Sequence, residues 1–309
     1  MRTLVWFRGK DLRVADHEAL SSAARAGEVI PLFVLDPYFF APERAREAPH
    51  RIQFLLESLA ALAQNIEHRG SRLLLVAGKS TELVPRLAAE WKVERVVAQR
   101  WTWPVGRERD ARIERALDIP FELHEGETLL TPGSLRTGAG QPYSVFTRFA
   151  ATFRQQAEIA RTRPAPRELS PLPRDVRAHT VEPPTLEALG IERNPALLTG
   201  GERAARERLR RFLAGSGGAY ATGRDRLDQD GTSRLSADLK FGTSSVRHVW
   251  HSAAEALRGK ARDAFLNELL WREFAYSTLW DRPALLEQPF RPDFHGFPYE
   301  YDEARWQAW

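Results

Sequence analysis

Thr3-Leu-Val-Trp-Phe7 and Val29-Ile-Pro-Leu-Phe-Val-Leu-Asp36 are short apolar runs with no alternation of polar residues. A strand solvated on one face alternates; a strand covered on both faces does not. Glu18–Ala26 between them has helical spacing. Arg51–Arg69 follows as a long amphipathic helix, with Ile52, Leu55, Leu56, Leu59, Leu62 and Ile66 on one stripe and Gly70 as its C-cap. The series continues with strand Arg72–Ala77, helix Thr81–Lys92 capped by Ser80, strand Glu94–Gln99, helix Gly106–Leu117 and strand Pro120–His124. Buried strands separated by helices predict an α/β fold, a Rossmann-like, doubly wound parallel sheet. Phe7-Arg-Gly-Lys-Asp-Leu-Arg13 stands where a glycine-rich dinucleotide fingerprint would be, so ordinary NAD binding is not expected.

Working outward, the pattern changes twice. Residues 161–200 carry Pro164, Pro166, Pro171, Pro173, Pro183, Pro184 and Pro195 with no sustained period, and read as an extended linker. From Gly201 the pattern is helical: Glu202–Leu213, a flexible turn over 214–218, Ala237–Phe241 and the long Arg262–Trp280. The expected domains are 1–130 (α/β), 131–200 (extended linker) and 201–309 (helical).

The chain has 309 residues, 43% hydrophobic and 28% charged, which is a globular composition. It has no cysteine, which excludes disulfides, thiolate metal sites and a cysteine nucleophile, and no metal site is expected. No apolar run reaches the roughly 18–20 residues of a membrane span. The opening Met1–Arg8 is unlike a signal peptide, so a cytoplasmic location is expected. Net charge is +4, and the basic residues are nearly all arginine, which suits a phosphate-bearing partner.

Three segments carry candidate chemistry. Thr232, Ser233 and Ser236 cluster hydroxyls ahead of a helix, with Arg234 as an added cation; such a terminus suits a phosphate, unless a serine simply caps the helix. Glu268, Trp271 and Arg272 share one helix face, as a functional trio or as a Glu268–Arg272 ion pair with Trp271 in the core. Asp11, Arg13 and Asp16 follow the first strand, where open α/β sheets place ligands, unless they tie the loop down.

Taken together these segments resemble the photolyase/cryptochrome family. The resemblance runs through Leu4-Val-Trp-Phe-Arg8 with Asp11-Leu-Arg13, Gly140-Gln-Pro-Tyr-Ser-Val-Phe-Thr147, Gly231-Thr-Ser-Arg-Leu-Ser236, Lys240-Phe-Gly-Thr243, Asn267-Glu-Leu-Leu-Trp-Arg-Glu-Phe274 and Arg305-Trp-Gln-Ala-Trp309. It implies an N-terminal antenna domain and an all-helical FAD-binding domain. By resemblance, Tyr220, Thr232, Ser233, Arg234, Leu235 and Ser236 hold the flavin's phosphate and ribityl region. Phe265, where the family more often has Trp, Glu268 and Arg272 lie beside the cofactor. Arg224, Glu268 and Trp271 meet DNA, and Glu268 with Trp271 are the catalytic pair. A glutamate at this position implies a deoxyribodipyrimidine photolyase that repairs cyclobutane pyrimidine dimers, acting as a monomer on UV-damaged DNA.

The alternatives are a cryptochrome-like blue-light photoreceptor, a module retaining only a nucleotide-binding α/β layer, and an inert remnant. Gly9-Lys10, Arg100-Trp-Thr-Trp103 and Thr147-Arg148 depart from the family pattern, so an antenna chromophore (folate, deazaflavin or flavin) is open. Family members continue past the segment resembling Arg305–Trp309. The FAD domain is therefore expected to be incomplete, with weak or no FAD binding and an exposed apolar face.

Overall fold

The computed structural model describes residues 1–176, 180–298 and 300–308. Trp309, the last residue of the Arg305–Trp309 motif, and Tyr299 lie outside the described residues.

Five parallel strands form one sheet in the order β3-β2-β1-β4-β5. They are β1 (Arg2–Phe7), β2 (Glu28–Leu35), β3 (Leu74–Ala77), β4 (Arg95–Gln99) and β5 (Phe121–His124). Leu4 pairs with Ile30 on one side and Val96 on the other. The period of two explains the unbroken apolar runs. Val5, Phe7, Phe33, Leu35, Leu75 and Val97 pack under α1 (Glu18–Ala26) and α4 (Pro49–Glu67). Leu4, Trp6, Leu32, Val34, Leu74, Val76, Val96 and Ala98 pack against α5 (Ser80–Glu90) and α6 (Pro104–Ala116). Two short helices, α2 (Pro37–Phe40) and α3 (Pro42–Arg46), follow β2. The doubly wound α/β layer is as expected.

Two helix ends differ from expectation. Ser80 is the first residue of α5, and Lys79 holds the cap position. The Ser80 N–H and hydroxyl both donate to Asp36 Oδ2, at 2.9 and 2.7 Å, so Ser80 ties the helix to the end of β2. The cap of α4 is His68, two residues before Gly70.

Residues 131–200 are not all extended. Phe146–Gln156 forms α7, whose Phe149, Ala150 and Phe153 are buried at helical spacing. They join the helical core, with Leu209 and Phe212 of α8 (Glu202–Ala214), Val249 and Ala253 of α11 (Val246–Ala256), and Phe265, Leu269 and Leu270 of α12 (Gly259–Asp281). The remaining helices are α9 (Tyr220–Gly223), α10 (Ser236–Phe241) and α13 (Glu303–Ala308). The proline-rich 161–200 stretch has neither helix nor strand among its described residues. It lies along the α/β layer, where Leu169, Leu186, Leu189 and Ile191 are buried in that layer's core.

Asp11, Arg13 and Asp16 serve the joint between the sheet layer and the helices. Arg13 donates to the Gly242 carbonyl and to Gln99, both at 3.0 Å. Asp16 accepts from Arg247 at 3.0 and 2.9 Å, from the Arg163 N–H at 3.0 Å and from the Ser245 hydroxyl. Asp11 accepts from the Arg8 N–H at 2.6 Å. Glu202 of α8 receives the Val14 and Ala15 N–H groups at 3.0 and 3.3 Å. The approach is close: Gly242 has φ 67°, and a Cβ there would lie 2.0 Å from the Lys10 carbonyl oxygen.

Candidate functional site

The helix α12 runs 23 residues and buries Phe265, Leu269, Leu270 and Glu273. Its other sides hold the site. Phe265 lies between Phe212 and Tyr220, with ring centroids 5.0 and 5.2 Å away. Tyr220 opens α9, and that helix ends at Arg224, whose guanidinium is paired with the Glu268 carboxylate. Burial pushes the Tyr220 phenol up, so it stays a neutral hydrogen-bonding group. One turn along α12 from Glu268, Trp271 is 46% exposed. Its ring lies parallel to that of Phe146, 3.6 Å between centroids.

Thus the Glu268–Arg272 pair does not form, and Trp271 is not a core residue. Arg272 turns the other way. Its guanidinium lies 4.5 Å over the Tyr276 ring, and Nη1 is 3.4 Å from Glu273.

The hydroxyl segment runs beside Tyr220. Gly231 touches the backbone of Gly223 so closely that a Cβ on Gly231 would lie 2.4 Å from the Gly223 oxygen. Leu235 is buried in the helical core. Thr232, Arg234 and Ser236 are exposed, and Ser233 is half-buried. Arg234, at φ 51°, pairs with Asp230 at 2.9 Å. Neither serine caps α10: Leu235 holds that position and makes no side-chain bond. With six residues α10 gathers little dipole, so the hydroxyls and Arg234 are what this segment offers an anion.

Four residues absent from the expected set are drawn in by packing. Phe146 backs Trp271; it lies in the Gly140–Thr147 motif and has helical spacing with Phe149 and Phe153. Glu273 is buried and accepts the Leu129 and Leu130 N–H groups at 2.9 and 3.5 Å, holding α12 to the loop after β5. Burial pushes its carboxyl up to about 7, against Arg272 and those two N–H groups. Burial also acts on Glu127, but the Lys10 ammonium and the Thr102 N–H outweigh it and hold that carboxyl below the ordinary range. Lys10 and Glu127 form an ion pair in the same joint.

Among the described residues no group of three His, Asp or Glu could hold a metal ion. No described helix is long and apolar enough to cross a membrane.

A DNA photolyase family model matches residues 3–171, and the chain belongs to that family. Over 307 residues it is 36% identical to the deoxyribodipyrimidine photo-lyase of Thermus thermophilus, covering 99% of this chain and 67% of that one. A bacterial class III photolyase from Agrobacterium tumefaciens is similar at TM-score 0.86 and 28% identity, covering 100% of this chain and 65% of that one. The Synechocystis sp. PCC6803 cryptochrome has TM-score 0.89 at 24% identity, covering 100% and 67%, and shows the fold alone. The chain spans about two thirds of the length of the relatives it matches.

Exposed Thr232, Ser236 and Arg234, with half-buried Ser233, are polar groups that fit a flavin nucleotide's phosphates, while Tyr220 and Phe265 are buried against each other and support that segment from within. The crevice between the carboxyl ends of β1 and β4 is different. Arg8 is bonded there to Asp110 at 2.6 and 2.7 Å, and Arg8 and Arg109 lie over the Trp6 and Trp101 rings. The chain's own side chains fill that crevice, and no antenna pigment is assigned to it.

Proposed function

We propose that this chain takes part in the light-driven reversal of cyclobutane pyrimidine dimers in DNA, with FAD as its cofactor. The observation that carries this reading is the placement of Glu268 and Trp271. They lie one turn apart on an open side of α12, with Arg224 alongside. The name of the Thermus thermophilus relative supports it.

A dimer inside a duplex cannot be reached, so it must leave the stack, which is cheaper at a damaged step. The open indole of Trp271 is a stacking surface for the extruded bases. Glu268 offers a hydrogen-bonding group for a pyrimidine edge. Arg224 offers a cation for a flanking phosphate. Tyr220, Thr232, Ser233, Arg234 and Ser236 would hold the flavin's phosphate and ribityl groups, with Leu235 and Phe265 as apolar support; Arg272, turned to Tyr276 and Glu273, is not among them. When bound, reduced FAD would supply light-driven, reversible one-electron chemistry for opening the cyclobutane ring.

In this reading residues 1–130 are the α/β layer and residues 201–309, joined by α7, the flavin-binding part, with the rest of 131–200 connecting them. On the same reading the protein meets DNA in the cytoplasm as a monomer.

The test is repair of an oligonucleotide carrying one thymine dimer, with the chain supplied with reduced FAD and assayed in light and in darkness. Restored thymines in light alone are expected once the chain holds flavin. Flavin-loaded chain that neither prefers the dimer nor repairs it overturns the reading.

A further inference from the structure

Trp271 is exposed, yet its ring is not loose. One face rests on Phe146, with 3.6 Å between centroids and 8° between planes. Aromatic pairs left to themselves favour offset or edge-to-face arrangements. A close parallel pair is therefore imposed by what surrounds it. Phe274 stands edge-on to both rings, 5.9 Å from Phe146 and 6.0 Å from Trp271. Phe146 is the first residue of α7, which Phe149 and Phe153 anchor in the helical core. With one indole face covered, the exposed 46% of Trp271 belongs to its other face and its edges.

We infer that Phe146 is the positioning residue of the damage-recognition surface. It holds the Trp271 plane so that the outer face stands ready for a base. This rests on the reading that Trp271 stacks on the extruded dimer. Phe146 itself does not touch DNA. A surface tryptophan without a backing ring samples several rotamers, and ordering it on binding subtracts from the stacking energy. Phe146 removes that loss in advance. Its effect therefore falls on affinity for damaged DNA and leaves affinity for the undamaged backbone alone.

The experiment is fluorescence anisotropy with the full chain and two duplexes, one with a single cyclobutane thymine dimer and one undamaged. Phe146→Leu keeps apolar volume but removes the flat face. It should weaken dimer binding roughly fivefold and leave undamaged binding as it was. Phe146→Tyr keeps the ring and should stay within about twofold of wild type on both duplexes. Phe146→Met replaces Phe146→Leu if the latter does not fold. A ring-free variant with wild-type dimer preference overturns the inference, as does equal weakening on both duplexes. A wild-type chain with no dimer preference, or one whose preference survives Trp271→Ala, overturns the stacking reading and this inference with it. Wild-type preference that Trp271→Ala removes and Phe146→Leu does not touch overturns the inference alone.

Discussion

Arg224, at the end of α9, and Glu268, midway along α12, are joined as an ion pair whose side chains are 36% and 42% exposed. Such a pair is worth at most about 1 kcal/mol, because water screens it. In the proposed function both groups are also the ones a DNA strand would engage. A phosphate arriving at Arg224 exchanges one partner for another and frees the Glu268 carboxyl for a base edge. The pair is thus a resting contact that DNA can displace at small expense.

Arg224→Ala should weaken binding to damaged and undamaged DNA by similar factors. It should also lower the slope of log affinity against log salt by about one. A salt titration of both duplexes measures this; a loss confined to damaged DNA would place Arg224 at the lesion instead of the backbone.

Glu268→Gln keeps a group that can hydrogen-bond a pyrimidine but cannot pair with Arg224. Undamaged DNA should bind as well as before or slightly better, since Arg224 is released. Repair per absorbed photon should fall severalfold in flavin-loaded protein. An unchanged quantum yield would remove Glu268 from the reaction.

Asp16 joins the two layers through Arg247, Ser245 and the Arg163 backbone. Asp16→Ala leaves a largely buried guanidinium without its partner, a change of about 3 kcal/mol in unfolding free energy. Urea denaturation reads it. Adding Arg247→Ala should lower stability by much less than it does in the wild type, because the two changes break one contact.

Glu273 gives stability a pH dependence. Burial raises its folded-state pKa to about 7, above the ordinary 4.5 of an unfolded glutamate. Between those values the folded chain holds a proton that the unfolded chain releases. Its contribution is fully present below about pH 4.5 and is lost as pH rises through 7, by at most about 1.4 kcal/mol per pH unit. Glu273→Gln can still accept the Leu129 N–H and carries no charge. It should flatten the stability profile in that window and exceed wild type above pH 7. A profile unchanged by the substitution would mean that Glu273 ionises at its ordinary pKa.

The sheet was legible because its signal is local. Leu4 and Val5 point to opposite faces, and both faces are covered, so apolar residues run without a break. The helix α7 was less legible. Its stripe of Phe146, Phe149, Ala150 and Phe153 is plain once isolated, but it precedes a proline-rich stretch and was grouped with it. Residues 161–200 read as a tether, yet Leu169, Leu186, Leu189 and Ile191 bury themselves in the α/β core.

The sequence by itself determined the class of fold, the order of the five strands and the long helices between them, and the inward stripe of α4. Those follow from periods of two and 3.6 residues, which neighbours along the chain carry. It also supplied the residue types of the site. Tertiary structure alone decided their partners. Glu268 meets Arg224 and not Arg272, and Asp16 meets Arg247. Trp271 lies on Phe146 and not in the core. A charge or a ring close in sequence to several candidates is assigned only when distant segments pack, because contact energies act over a few ångströms of space and not along the chain.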